Sequence, residues 1–253
     1  MKAIVLAGGF AKRMWPLTKN IPKQLLKINR KPILEYVVEE LELIPDIDKI
    51  FISTNSKFAP QFKEWLSKHK KKKDCAEIEI VVEPSKKEEE KFGSIGAVSF
   101  IMDKKGLDEN TIILGGDNLF EFKLVDLIKH LEEKKSNIIV LDQIKSFEEA
   151  KKYGVAEIGK NHKVISFKEK PENPKSKLIA TACYILTKRG LEEIKKYLKQ
   201  GGDADKMGHF IEWLCRNDDV YAFTFKGNWF DIGSIECYEL AKKYFKGKLI
   251  EKT

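Results

Sequence analysis

The 253-residue chain has only four cysteines, Cys75, Cys183, Cys215 and Cys237, with no Cys-x-x-Cys pair among them and no histidine at ligand spacing. That scatter disfavours structural zinc and points to reduced thiols in a cytoplasmic protein. Long apolar runs are missing too: none approaches the roughly 20 residues that cross a bilayer. Met1 leads straight into a strand pattern, so neither a membrane anchor nor a signal peptide is expected. Glutamine is scarce, at four residues, beside 47 Lys+Arg and 39 Asp+Glu. Such a bias suits a hot environment, where ion pairs lose less to desolvation. No internal repeat and no flexible linker interrupts the sequence, so residues 1–253 read as one domain.

What is present begins with charge. A formal net charge of +8 invites an anionic partner. Its densest stretch runs from Lys68 through His69 to Lys73 and closes a predicted helix, Phe58 to Lys68, with Phe58, Phe62, Trp65 and Leu66 on the core side. A solvated helix end accounts for this run, since cations suit the C-terminal dipole. No aromatic residues interleave with the lysines, so nucleic acid is not an expected partner.

Short apolar runs alternate with amphipathic helical patterns. Ala3 to Leu6 reads as a buried strand ending at Gly8 and Gly9, and Leu25 to Ile28 as a second short strand. Pro32 opens a helix with Ile33, Leu34, Val37, Val38 and Leu41 on one face. The rhythm to about residue 143 is βαβ, which predicts an α/β fold: a doubly wound, mainly parallel sheet with helices on both faces. Ligands then sit beyond the carboxyl ends of the strands. After residue 143 the segments 155–158, 164–167 and 178–186 are extended, a smaller β subregion that completes the same domain.

The strongest local signal is Leu6-Ala7-Gly8-Gly9-Phe10-Ala11-Lys12-Arg13-Met14-Trp15-Pro16-Leu17-Thr18, followed by Pro22-Lys23-Gln24. Paired glycines after a buried strand let backbone N–H groups approach an anion, and Lys12, Arg13 and Lys23 lie where a phosphate chain would pass. The run is neither a P-loop nor a dinucleotide fingerprint.

This run resembles the signature of the sugar-nucleotide pyrophosphorylases (sugar-1-phosphate nucleotidylyltransferases), Gly-Gly-x-Gly-Thr-Arg-Leu-x-Pro-Leu-Thr followed by Pro-Lys. Further segments match the family in order: Gly93-Ser94-Ile95-Gly96-Ala97, Leu114-Gly115-Gly116-Asp117-Asn118, Tyr153-Gly154-Val155, Phe167-Lys168-Glu169-Lys170-Pro171 and Trp229-Phe230-Asp231-Ile232-Gly233-Ser234. The resemblance implies a Rossmann-like domain with a nucleotide-binding half at 1–143. Residues 144–253 then form a sugar-binding half that brings a second metal ligand. It implies a soluble enzyme taking an NTP and a sugar 1-phosphate, with Mg²⁺ as cofactor. A homo-oligomer is open, although no apolar stripe marks an interface. No hexapeptide repeats follow the domain, so the second, acyltransferase activity of longer relatives is not expected.

Residue by residue, the resemblance assigns Arg13, Lys23, Asp117 and Lys170 to catalysis and Asp117 with Asp231 to the metal. Mg²⁺ takes one or two carboxylates plus phosphate and water oxygens, so two separated aspartates make an economical pair. Leu6, Gly8, Gly9, Lys12, Arg13, Gln24, Glu83, Gly93 and Ser94 are the expected nucleotide contacts; Asn118, Gly154, Glu169, Lys170 and Thr181 are the expected sugar contacts. Glu169-Lys170 on a strand would point to opposite faces unless a bulge intervenes.

Three departures stand out. Ala11 replaces the third glycine, a mild change if that residue avoids positive φ. Lys12 replaces Thr or Ser, and Ala182 takes a place usually held by glycine, where it would crowd a sugar hydroxyl. Base identity stays open. The Gln24 and Glu169-Lys170 segments look most like glucose-1-phosphate thymidylyltransferases, while Glu83-Pro84 looks like mannose-1-phosphate guanylyltransferases. A pyrimidine nucleotide leads narrowly, with the guanylyltransferase as the alternative. A non-catalytic sugar-nucleotide binder is the rival from another class.

Overall fold

In the computed structural model, residues 1–70 and 75–247 are described. The chain opens with β1 (Lys2–Leu6), a 3-10 turn at Lys12–Met14, another at Lys23–Leu25, and a ribbon of β2 (Lys27–Ile28) and β3 (Lys31–Pro32). Leu25 therefore belongs to a turn, not to the short strand expected from Leu25 to Ile28. The alternation that follows is α1 (Ile33–Leu41), β4 (Lys49–Asn55), α2 (Ala59–Lys68), β5 (Glu77–Glu83), α3 (Gly93–Lys105) and β6 (Thr111–Gly115). Next come β7 (Asn118–Phe120), α4 (Leu124–Lys134), β8 (Asn137–Gln143), α5 (Phe147–Ala150), β9 (Gly154–Ile158), β10 (Val164–Glu169) and β11 (Leu178–Leu186). The chain continues through α6 (Lys188–Lys199), α7 (Met207–Asn217), β12 (Val220–Thr224), β13 (Trp229–Asp231) and α8 (Ile235–Tyr244).

One nine-stranded sheet forms the centre, in the order β10-β9-β11-β6-β1-β4-β5, with β8 pairing both β11 and β12. β6, β1, β4 and β5 run parallel, as the βαβ rhythm demands, and β11 joins β6 antiparallel. Ile4 and Phe51 face a core with Ile95 and Phe210 from α3 and α7, while Val5 and Ile52 face one with Leu34, Phe62 and Leu127. Helices thus cover both faces, and the middles of β1, β4 and β6 are apolar runs buried on both sides, whereas the edge strand β5 alternates Glu with Ile.

Two features position the site. A small antiparallel pair, β7 with β13, sets Asn118 opposite Asp231 and Trp229 opposite Phe120. Behind it a third core of Met14, Ile28, Ile33, Leu119 and Ile232 docks α8 through Ala241 and Phe245. Ser234 caps α8 by accepting from the Cys237 N–H, which stops the chain turning helical before Asp231 and Gly233 have passed the cavity.

The basic run departs from expectation at His69. Its side chain is 2% exposed and lies between carboxylates, Nδ1 at 2.9 Å from Glu35 Oε1 and Nε2 at 2.9 Å from Glu42 Oε1. It is a buried tie between α1 and the end of α2, not a solvated helix end. Lys71, Lys72 and Lys73 lie outside the described residues.

Candidate functional site

The carboxyl ends of β1, β5 and β6 open onto a cavity of about 560 Å³ that adjoins a second of about 600 Å³, and both Arg13 and Asp117 line the two of them. The first lobe is walled by the expected nucleotide contacts Leu6, Gly8, Gly9, Lys12, Arg13, Gln24, Glu83, Gly93 and Ser94, together with Lys23. Asn118, Gly154, Glu169, Lys170 and Asp231 line the second.

The glycine turn is held open from below. Ala7 N–H donates to Ser53 O at 2.9 Å, and Asn55 Nδ2 donates to Gly8 O at 2.9 Å. A Cβ on Gly8 would stand 2.7 Å from Glu83 Oε1, so only glycine lets that carboxylate reach the cavity. Ala11 then adopts φ 49 and ψ 41, and its carbonyl accepts from Thr18 Oγ1 at 2.8 Å. The condition for a mild glycine-to-alanine change therefore fails: Ala11 sits in left-handed backbone, where a Cβ costs about 1–2 kcal/mol. Ala182, at φ 54, carries the same strain. Met14, fully buried, anchors the turn and leaves Lys12 and Arg13 to the cavity.

At the join of the lobes Lys23 Nζ pairs with Asp117 Oδ2, each side chain only 15% exposed. Ile232 N–H donates to Asp117 O at 3.1 Å, which brings Asp231 alongside. Burial, and then the charge of Asp117, push the Asp231 carboxyl up to about 6, against the pull of Lys23, Arg13 and Lys170. Two carboxylates that feel each other in a shielded space, both hard oxygen donors, form a donor set suited to a divalent cation such as Mg²⁺.

Glu169 and Lys170 line the same lobe although they are sequence neighbours. β10 stops at Glu169, and Lys170 turns to φ 45, which breaks the strand alternation. Burial raises the Glu169 pKa and Lys170 lowers it. Glycines wall the carboxylate closely, since a Cβ on Gly208 would stand 1.8 Å from its Oε2.

Among the expected contacts, Thr181 and Ser94 are engaged by backbone carbonyls. Thr181 does not reach the sugar-side cavity: it is 1% exposed and its hydroxyl donates to Val140 O at 3.1 Å. Along β11 it is Ala180, Ala182 and Tyr184 that line the lobe, and alternation turns Thr181 to the opposite face. Ser94 does line the first lobe, but its N–H and hydroxyl both donate to Asp205 O, at 2.9 and 2.8 Å. The N–H groups of Ile95 and Gly96 likewise donate to Ala204 O, so the start of α3 is capped from the segment before α7.

The cavities also contain residues without an expected role: Lys91 and Asp205 in the first, Lys152, Tyr153, Lys206 and Trp229 in the second. Trp229 stood in the quoted Trp-x-Asp-x-Gly segment; Lys206 and Asp205 had no motif to show them.

The family model for nucleotidyl transferases matches residues 2–246. The chain belongs to the nucleotidyl transferase family. Among curated relatives, this nucleotidyl transferase is 28% identical over 249 residues to the bifunctional protein GlmU of Methanocaldococcus jannaschii, covering 98% of the chain and 55% of that protein. It is 29% identical over 254 residues to a protein of Sulfolobus acidocaldarius assigned as a mannose-1-phosphate guanyltransferase, covering 98% of the chain and 65% of the relative. The chain thus spans little more than half to two thirds of these relatives' length. Its fold matches a solved structure from Bacillus anthracis, assigned as a glucose-1-phosphate thymidylyltransferase, with a TM-score of 0.82 at 23% identity over 100% of this chain and 98% of that one.

Proposed function

We propose that this nucleotidyl transferase joins the nucleoside monophosphate of an NTP to a hexose 1-phosphate and releases pyrophosphate. The observation that carries the reading is the meeting of Asp117, Asp231, Lys23 and Arg13 where two cavities adjoin. All but Asp205 of the first lobe comes from residues 1–143, and most of the second from 144–253, which supports a nucleotide half and a sugar half.

In this reaction an oxygen of the sugar phosphate attacks the α-phosphorus of the NTP in line. A P–O bond forms there as the bond to the bridging oxygen breaks, and that oxygen leaves on pyrophosphate. The attacking phosphate is already ionised near neutral pH, so a general base is unnecessary, and the protein positions groups and neutralises charge. Arg13, with Lys12, faces the leaving pyrophosphate; Lys23 and Lys170 hold the reacting phosphates; Glu169 accepts from sugar hydroxyls beside Gly154. Asp117 and Asp231 would hold Mg²⁺, which neutralises phosphate charge when bound. Among the described residues no helix is long and apolar enough to cross a membrane, in keeping with a cytoplasmic enzyme.

A second reading concerns the base. Glu83 is 2% exposed, lines the first lobe and accepts from Ser53 Oγ at 2.6 Å. An ionised carboxylate only accepts, so it matches adjacent donors such as guanine N1–H and N2–H, whereas a pyrimidine offers one N–H between two carbonyls. This favours GTP over dTTP or UTP.

The test is pyrophosphate release from a panel of NTPs with glucose 1-phosphate or mannose 1-phosphate, with Mg²⁺ omitted as control. Turnover with at least one pair, lost in Asp117→Asn while the nucleotide still binds, is expected; near-normal turnover in that variant removes Asp117 from the role. If Glu83 reads the base, Glu83→Gln shifts preference from GTP towards UTP. No turnover with any pair, and no exchange of pyrophosphate into NTP-sugar, would leave only the non-catalytic binder.

A further inference from the structure

Asn118 was expected to contact sugar, yet its amide is spent elsewhere. It is 3% exposed, and its Nδ2 donates to Asp117 Oδ1 at 3.1 Å. Its Oδ1 accepts from the indole Nε1 of Trp229 at 2.7 Å. We propose that Trp229 is a positioning residue: its indole N–H fixes the amide of Asn118, and that amide fixes the carboxylate of Asp117.

An indole N–H can only donate and an ionised carboxylate can only accept, whereas a side-chain amide does either according to which way it faces. With Trp229 on one side and Asp117 on the other, a single orientation of Asn118 satisfies both. Turned over, the amide would set N–H against N–H and carbonyl against carboxylate. Gly115 makes room for this contact, since a Cβ there would lie 2.5 Å from Asn118 Nδ2 and 2.9 Å from Asp117 Oδ1. Lys23 takes the other oxygen, Oδ2. Asp117 is thereby gripped at both oxygens before any ligand arrives, by Lys23 from near the start of the chain and by Asn118, itself fixed from Trp229.

The backbone that delivers Trp229 does not depend on the indole. Asn228 donates to Glu121 Oε2 through its N–H at 3.0 Å and its Nδ2 at 2.9 Å, and Glu121 N–H donates back to Asn228 O at 3.1 Å. β13 pairs with β7 over all three of its residues. The Trp229 ring also packs edge-on against Tyr153, centroids 5.7 Å apart. Replacing the indole by a phenyl ring therefore removes the N–H while leaving a ring against Tyr153 and the β7–β13 pairing in place.

This inference rests on the reading of Asp117 as a cation-holding residue, and its test separates the two. Trp229→Phe, Asn118→Leu and the double variant are compared with the parent by thermal melt, by Mn²⁺ titration calorimetry without substrate, and by kcat and KM with the best NTP and sugar 1-phosphate. Removing a group that orients a metal ligand typically costs about 10–100-fold in affinity or activity. Trp229→Phe is expected to weaken Mn²⁺ and lower kcat by about tenfold or more, with KM for the sugar 1-phosphate within about twofold. Because the effect passes through Asn118, the double variant should be no worse than Asn118→Leu alone. Mn²⁺ affinity and kcat both within twofold of the parent in Trp229→Phe would overturn the proposal, as would additive losses in the double variant. If the parent turns over no substrate pair, the proposed reaction fails, and the Mn²⁺ arm still decides this inference.

Discussion

Lys23→Met is the sharpest perturbation of the site that the structure offers. Lys23 is largely buried, and although burial opposes its charge, Asp117 and then Asp231 raise its pKa above the ordinary 10.5. It is the ammonium that offsets two carboxylates in one shielded place. Methionine keeps much of its length and removes the charge. Removing one partner of a buried pair costs about 3–5 kcal/mol, because the other is left uncompensated. Here Asp231 already sits at about 6, so taking up a proton relieves part of the repulsion, and the lower end applies. About 3 kcal/mol in a domain of this size lowers the melting temperature by roughly 6–12 °C.

The same reasoning gives a second, opposite readout. Lys23 and a divalent cation compete for the Asp117 carboxylate, so Lys23→Met should bind Mn²⁺ more tightly than the parent does. At a cation concentration of 100 Kd the folded state gains about 2.7 kcal/mol, nearly all of the predicted loss. Differential scanning fluorimetry with and without MnCl₂ is sufficient: the variant melts well below the parent without metal and approaches it with metal, while the parent moves less. A variant that melts within about 2 °C of the parent without metal, or an equal Mn²⁺ response in both proteins, would refute the pairing argument.

Other expectations follow from single residues. Ala11→Gly removes about 1–2 kcal/mol of left-handed strain and adds about 0.4–1 kcal/mol of unfolded-chain freedom, so it should raise the melting temperature by about 1–3 °C; an unchanged or lower value counts against the strain. Thr181→Val should cost about 1 kcal/mol through the lost bond to Val140 O and leave KM for the sugar 1-phosphate unchanged, whereas a severalfold KM rise would return Thr181 to the cavity. For His69, burial opposes the charge, but hydrogen bonds to Glu42 and Glu35 more than offset it and raise the pKa above 6.5. The stability it contributes is complete below its unfolded pKa and is lost as pH rises through the higher folded value. The melting difference between parent and His69→Ala should therefore be larger at pH 6 than at pH 9; a difference that grows with pH would reverse the assignment.

How far the sequence exposed the site depended on the length of the signal. The parallel strands and their helices carry whole periods of buried residues, so β1, β4, β6 and α1 could be read directly. The glycine turn was legible because Gly8 and Gly9 follow a buried strand, and Asp117 because it ends one. The β7–β13 pair was not: strands of three residues are too short for alternation to register. Strand alternation failed at Glu169-Lys170, and the resemblance failed at Thr181. The left-handed backbone of Lys170 swings two neighbours into one lobe, while β11 presents Ala180, Ala182 and Tyr184 to it and turns Thr181 away. His69 hid within a lysine run, because composition cannot show that Glu35 and Glu42 come from another helix to meet it.

These misses share a cause that bears on the chemistry. Apart from Asn118 beside it, the groups around Asp117 come across long sequence separations: Lys23 from the second 3-10 turn, Asp231 from β13, and Trp229, which acts through Asn118 from 111 residues away. Motifs name such residues one at a time and leave their bonding unstated. Asn118 shows the consequence, since its place in the Gly-Asp-Asn segment suggested a sugar contact while its amide bonds to the carboxylate beside it and to the indole of Trp229. The proposed cation-holding pair and its supports thus come together when β13 docks, and Phe230 and Ile232 dock it on the small core around Met14 and Leu119. A substitution in that small core, such as Ile232→Ala, should therefore disturb Mn²⁺ affinity more than an equally destabilising truncation of Ile113 in the central sheet, with the two variants matched by their melting temperatures. Equal affinities at matched stability would show that the carboxylates are held without the third core.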